Sequence, residues 1–368
     1  MSLSRHRFRA PATATALCLS LGLSLAFAVP TLAGSPDSPG ATDEQVACKV
    51  TKKLVPSCGA WFGVGPNPYN GESWDQALVN FEDTINRTVD IVHYYAKGQT
   101  EMFPSDVMLT RANEPGRERL LLINWKPTDM TWAEVADGDA DEFLKDLAQH
   151  IKQVYPDPFF LSLDAEPEDK VIDTAGSGMT ADDFHDFFRH TVKVLRANGA
   201  KSVVTVMNYM GAPHWPEKDW FEDLYPGNKY VDWLAEDQYA FGAEPGVWLS
   251  DFAGMVDRHY EGEEWPGFYT WAMENYPDKP IMLGEWGVEE KEEWPDYKPD
   301  FFDEMLGQLK ADFPNIQALV YWDSDGDTMV GDTRPHSSPE SLEAHNDMAD
   351  SKWFVDPGEY YLGRDAVR

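Results

Sequence analysis

Phe159-Phe160-Leu161-Ser162-Leu163-Asp164-Ala165-Glu166-Pro167-Glu168 begins as a short apolar run and ends in acids. The turn residues Tyr155-Pro156-Asp157-Pro158 precede it, so the run reads as a strand buried on both faces, the kind found in parallel sheets. Pro167 ends further strand pairing and is expected to hold Glu166 extended, fixing a carboxyl group at a strand terminus. Acid/base chemistry needs that placement. The plain alternative for Asp164, Glu166, Glu168 and Asp169 is a solvated acidic loop, so the reading turns on a second carboxylate.

That second carboxylate stands in Lys279-Pro280-Ile281-Met282-Leu283-Gly284-Glu285-Trp286-Gly287, again a turn, a short apolar strand and a terminal Glu. Glu166 and Glu285 are separated by about three strand-plus-helix units, which brings both acids to the same edge of a parallel sheet.

Outward from these two runs, short apolar segments alternate with longer amphipathic ones. Eight strands are expected at Gly59–Val64, Asp90–Tyr95, Leu120–Trp125, Phe159–Asp164, Ser202–Met207, Val231–Tyr239, Ile281–Glu285 and Ile316–Trp322. Helices are expected near Trp74–Asn86, Asp141–Val154, Ala181–Asn198, Leu249–Tyr260, Phe301–Phe313 and Pro339–Asp350. Thr180-Ala181-Asp182-Asp183, an N-cap followed by early acids, marks the start of the third of these, and Asn198-Gly199 marks its end. Pro115-Gly116 and Pro226-Gly227 interrupt the segments where a second and a fifth crossover helix belong. The pattern is that of an α/β fold, a (β/α)8 TIM barrel, occupying residues 59–368.

A barrel gathers the ends of its strands on one face. Here those ends carry His93-Tyr94-Tyr95, Asn124-Trp125, Asp164 to Glu166, Asn208-Tyr209, Asp237 to Tyr239, Glu285-Trp286 and Tyr321-Trp322-Asp323. Trp125, Trp286 and Trp322 are candidate platforms for a sugar ring, against the alternative of ordinary packing, and His93 either contacts a sugar hydroxyl or is a satisfied structural histidine.

Composition narrows the partners. The net charge of −34 argues against nucleic acid and other polyanions and fits a neutral substrate. Fourteen Trp and fifteen Tyr fit carbohydrate, whose ring faces stack on aromatics, although core packing must account for most of them. Arg5, Arg7 and Arg9, an apolar segment from Ala12 to Val29 and Thr31-Leu32-Ala33 read as a secretory signal over residues 1–33, too short for a confident membrane span. A secreted, extracellular and monomeric product is expected. Residues 34–58 read as a lead-in, disordered from Gly34 to Thr51, with Cys48 and Cys58 joined by a disulfide worth about 2–3 kcal/mol.

With the runs Gly59-Ala60-Trp61-Phe62-Gly63, Tyr225-Pro226-Gly227-Asn228-Lys229-Tyr230-Val231-Asp232-Trp233, Asp237-Gln238-Tyr239 and Lys279 to Glu285 in place, the chain resembles family 26 of the glycoside hydrolases, the β-mannanases, over most of Gly59 to Tyr361. The resemblance implies that Glu166 is the acid/base, Glu285 the nucleophile, and Tyr239 a hydrogen-bond donor to Glu285. The family writes its acid/base strand Arg-x-x-His-Glu-x-Asn, whereas Ser162, Ala165, Glu166 and Glu168 stand here. β-Mannan is therefore the first substrate expected, with β-glucan and β-xylan open.

The mechanism implied is double displacement with retention, the carboxyls about 5–5.5 Å apart and no cofactor or metal required. Two rivals remain. One is a non-catalytic carbohydrate-binding barrel; the other is a metal-dependent hydrolase using His93, Asp164 and Asp323-Ser324-Asp325-Gly326-Asp327, whose spacing departs from a calcium loop.

Overall fold

The computed structural model describes residues 48–241, 250–260, 262, 264–326 and 331–355. Eight parallel strands, β1 (Trp61–Pro66), β2 (Ile91–Lys97), β3 (Leu120–Lys126), β4 (Phe159–Leu163), β5 (Val203–Tyr209), β6 (Trp233–Ala240), β7 (Ile281–Val288) and β8 (Ile316–Asp323), pair in chain order, and β8 returns to β1 to close the barrel. The expected (β/α)8 barrel is the fold found.

Among the described residues the connections carry α1 (Trp74–Ile85), α2 (Asp106–Ala112), α3 (Trp132–Asp137), α4 (Asp141–Val154), α5 (Ala181–Ala197), α6 (Phe252–Val256), α7 (Phe268–Asn275), α8 (Tyr297–Asp312) and α9 (Pro339–Ala349). The helix expected over Leu249–Tyr260 narrows to α6, because Asp257 leaves helical geometry and turns its carboxylate onto Thr270 instead. The short α2, α3 and α7 were not expected. A single 3-10 turn, Phe221–Leu224, precedes Pro226-Gly227 between β5 and β6.

Strand alternation sorts the side chains into two cores. Trp61, Ile91, Leu120, Leu122, Phe160, Val204, Val206, Trp233, Met282, Ala318 and Val320 fill the barrel. Their neighbours, such as Phe62, Val92, Leu121, Phe159 and Leu161, face the helices. There α5 lays its Phe184, Phe187, Phe188, Val192 and Leu195 stripe, its first turn held by Thr180 and Asp183 in a reciprocal capping box.

The Cys48–Cys58 disulfide is present, with Cα atoms 5.5 Å apart. The loop it closes belongs to the folded unit rather than to a lead-in. Leu54 is fully buried beneath the barrel core, and its carbonyl accepts the Trp61 indole N–H at 2.8 Å, while Lys53 O accepts that of Trp233 at 2.7 Å. The segment 1–33 read as a secretory signal lies outside the described residues.

Candidate active site

β4 ends at Leu163, and the chain then makes a tight turn in which Asp164 (φ 52°) and Glu166 (φ 59°) both adopt left-handed backbone. Glu166 is therefore not extended as expected from Pro167. The left-handed region is unfavourable for both residues, so the surroundings must hold the turn. Asp164 N–H donates to Trp125 O at 2.8 Å, Ala165 N–H to Asn124 Oδ1 at 3.2 Å, and Glu166 N–H to Asn208 O at 2.9 Å. The Asp164 carboxylate accepts Trp132 Nε1–H at 2.7 Å and pairs with Lys170 Nζ at 2.9 Å, and Lys170 also donates to Ala165 O. Pro167 opens a 3-10 turn that buries Glu168, whose carboxylate accepts Met210 N–H at 3.0 Å and Gly211 N–H at 3.5 Å. Asp164 and Glu168 thus brace the turn, while among the described residues no side-chain hydrogen bond holds the Glu166 carboxylate.

Glu285 stands on β7, where the register slips against β8 between Leu283 and Trp286. Gly284 makes room beside it: a Cβ there would lie 2.6 Å from Asn208 Oδ1 and 2.7 Å from Asp237 Oδ1. Two phenols hold the Glu285 carboxylate. Tyr239 on β6 donates to Oε2 at 2.8 Å, and Tyr95 on β2 donates to Oε1. Burial, then the charge of Glu166, pushes Glu285 up to about 7, against the lowering effect of both phenols and Lys126. Asp237, which accepts both hydrogen bonds from the Asn208 amide at 3.1 and 2.9 Å, is pushed well above the usual carboxylate range by burial and by the charges of Glu285 and Glu166. Glu166, Asp237 and Glu285 therefore share one electrostatic site at the C-terminal ends of β4, β6 and β7.

The rim is aromatic. Trp322 is 9% exposed and sits edge-on to Tyr95, with centroids 6.2 Å apart, and 6.1 Å from Trp74. Gly65 lets its ring approach, since a Cβ there would meet Trp322 Cε3 at 2.8 Å. His93 lies 4.6 Å from the Tyr95 ring, and burial pushes it down to about 3, so it is neutral. Its two ring nitrogens have no hydrogen-bond partner among the described residues.

Two expected platforms lie elsewhere. Trp125 is 1% exposed, stacked on Phe143 and tilted against Phe187, with its indole N–H on Gly98 O. Trp286 is fully buried among Phe301, Phe302 and Tyr321. Both point to the helical layer, because the adjacent residues Lys126 and Glu285 take the inward positions, and neither can touch a sugar. Tyr95, Lys126, Asn208 and Asp237 joined the site without having been singled out. For Tyr95 the signal was present, since it stands two residues after His93 and so on the same face of β2.

For the metal reading, Asp164 is committed to Trp132 and Lys170, away from His93. Asp327 lies outside the described residues, and among those described no group of three or more His, Cys, Asp or Glu is arranged to hold a metal ion.

No protein-family model matches the chain. It is 24% identical over 298 residues to Endoglucanase H of Acetivibrio thermocellus, covering 78% of this chain but only 30% of that protein, so it spans under a third of the relative's length. Among solved structures it is similar to the catalytic domain of an endo-β-1,4-mannanase of family 26 from Bacillus sp. JAMB-750, at TM-score 0.55 and 14% identity over 82% of this chain and 88% of that one. It is also similar to a β-mannanase from a symbiotic protist of the termite Reticulitermes speratus, solved with a gluco-manno-oligosaccharide, at TM-score 0.51 and 12% identity over 81% and 88%. The chain shares their fold.

Proposed function

We propose that this chain is a family 26 glycoside hydrolase that cleaves a β-linked neutral polysaccharide, β-mannan first, with retention of configuration. The observation that carries the reading is Glu285 on β7, bound by Tyr239 from β6 and lifted by burial and then by the charge of Glu166, which follows β4. In the first step Glu285 attacks the anomeric carbon while Glu166 gives its proton to the leaving oxygen, so the glycosidic bond breaks as the ester forms. In the second, Glu166 takes a proton from water, whose oxygen displaces Glu285. The two phenol donors favour the negative charge that Glu285 needs for attack, against the burial that opposes it. Trp322, 9% exposed beside Tyr95 at the rim, is the ring we assign to contact with the sugar.

The disulfide supports export to an oxidising compartment. Among the described residues no helix is long and apolar enough to cross a membrane.

The test is release of reducing ends from β-mannan, mixed-linkage β-glucan and β-1,3-xylan, with NMR of the first-formed anomer. Activity on one of them, a β-anomer as first product, and loss of at least about a thousandfold in both Glu285→Ala and Glu166→Ala are expected. Ser162 and Ala165 stand where the family carries Arg and His, and this favours a second reading, a barrel that binds glycan without turnover. Unchanged retention on polysaccharide by both alanine variants, with no reducing ends from the unmodified protein, would select it.

A further inference from the structure

Glu285 is gripped from two sides. In a closed ring of eight strands, β2 and β6 lie four apart, on opposite walls, and each sends one phenol to a different oxygen of the same carboxylate. Tyr239 is the donor that the family resemblance implies. Tyr95 is not, and its ring has little freedom to be there by accident. His93 packs 4.6 Å away, Trp74 and Trp322 meet it edge-on at 5.6 and 6.2 Å, and the Lys126 ammonium stands 5.4 Å from its centroid. Those contacts leave the hydroxyl aimed at Glu285.

We propose that Tyr95 is a positioning residue for Glu285, holding Oε1 in place and stabilising the ionised carboxylate that nucleophilic attack requires. The role of the carboxylate rests on the glycosidase reading above; the hydrogen bond and its electrostatic effect do not. The groups facing Glu285 are Tyr95 from β2, Lys126 from β3, Glu166 after β4, and Asp237 and Tyr239 from β6, with His93 packed behind the Tyr95 ring. Glu166 and Asp237 oppose ionisation, so the donors and Lys126 must offset two nearby carboxyls as well as burial. Tyr95 remains a neutral donor, because burial and then the charge of Glu285 push its own ionisation well above the ordinary tyrosine value. A hydrogen bond to a charged group is worth enough to move a midpoint by about one pH unit.

The experiment is a carbon-13 NMR titration of the Glu285 carboxyl in glutamate-labelled protein, assigned with Glu285→Gln and compared with Tyr95→Phe. Tyr95→Phe keeps the ring and removes only the donor. Its Glu285 midpoint is expected to rise by about one pH unit with an unchanged melting temperature; an unmoved midpoint overturns the proposal. As a second measurement on the unmodified protein, the Tyr95 Cζ resonance is expected to step at the Glu285 midpoint, and a flat Cζ trace overturns the proposal without any variant having to fold. In turnover, Tyr95→Phe is expected to lower kcat about tenfold with KM within about threefold. A protein inactive on every glycan would remove the glycosidase reading while the titration still decides on Tyr95.

Discussion

Trp132 donates its indole N–H to Asp164 Oδ2 at 2.7 Å, tying the six-residue helix α3 to the turn that carries Glu166. Trp132→Phe keeps most of the packing against Phe184 but leaves the buried carboxylate with Lys170 alone. The variant is expected to lose about 1–3 kcal/mol in urea denaturation and to turn over more slowly, as the left-handed turn loses one of its restraints.

Glu82 on α1 is the centre of an ion cluster. It accepts Arg119 Nε–H at 2.7 Å and Nη2–H at 2.6 Å, Arg117 Nη2–H at 3.0 Å and Val89 N–H at 3.1 Å, with Arg119 wholly buried at the start of β3. Glu82→Ala leaves the buried Arg119 guanidinium with Glu114, 2.9 Å away, as its remaining carboxylate partner and is expected to cost about 3 kcal/mol. The double variant Glu82→Leu with Arg119→Met should recover most of that loss; equal loss in both would show that packing rather than stranded charge decides.

Glu168 gives stability a pH dependence. Burial pushes it up to about 7 from an ordinary 4.5, so the folded form holds its proton more tightly than the unfolded chain does. Its favourable contribution is complete below about pH 4.5 and is lost as pH rises through about 7, a swing of about 3 kcal/mol at 1.36 kcal/mol per pH unit. Glu168→Gln should show a loss of stability between pH 5 and 8 that is smaller than that of the unmodified protein by about 2–3 kcal/mol, measured by denaturant titration at each pH.

Glu285 sets the acid limb of the rate profile. Burial, then the charge of Glu166, pushes it up to about 7, so kcat/KM is expected to fall as pH drops below about 7 and the nucleophile takes up a proton. A profile still flat at pH 5 would assign the nucleophile to some other group.

The strands were legible because each apolar run is bounded by Pro, Gly or Asp, and burial on both faces leaves little else for such a run to be. Two glutamates at the ends of such runs, together with Tyr239, were legible for the same reason. What failed was the facing of single side chains. At Trp125 strict alternation would have given the answer, since Asn124 and Lys126 occupy the inward positions. At Trp286 the register slip in β7 had to be seen, as it is not encoded in any local pattern. The helix α3 carried a capping-box signal in Thr131 and Glu134, but six residues are too few for a periodic stripe. The left-handed Glu166 was opaque, because the residue before a proline is ordinarily extended and it takes the long-range bonds to Asn124, Trp125, Trp132, Lys170 and Asn208 to reverse that preference.

β1 and β8 pair over six residues, and Ala60 exchanges backbone hydrogen bonds with Trp353 O at 3.1 Å and Val355 N–H at 2.9 Å, so the described fold is stitched shut where its first and last segments meet. Such a seam makes the order of the gene separable from the order of the ring. A circular permutant rejoined there by a short linker and recut within the exposed residues 172–176 keeps every strand beside the neighbour it has now.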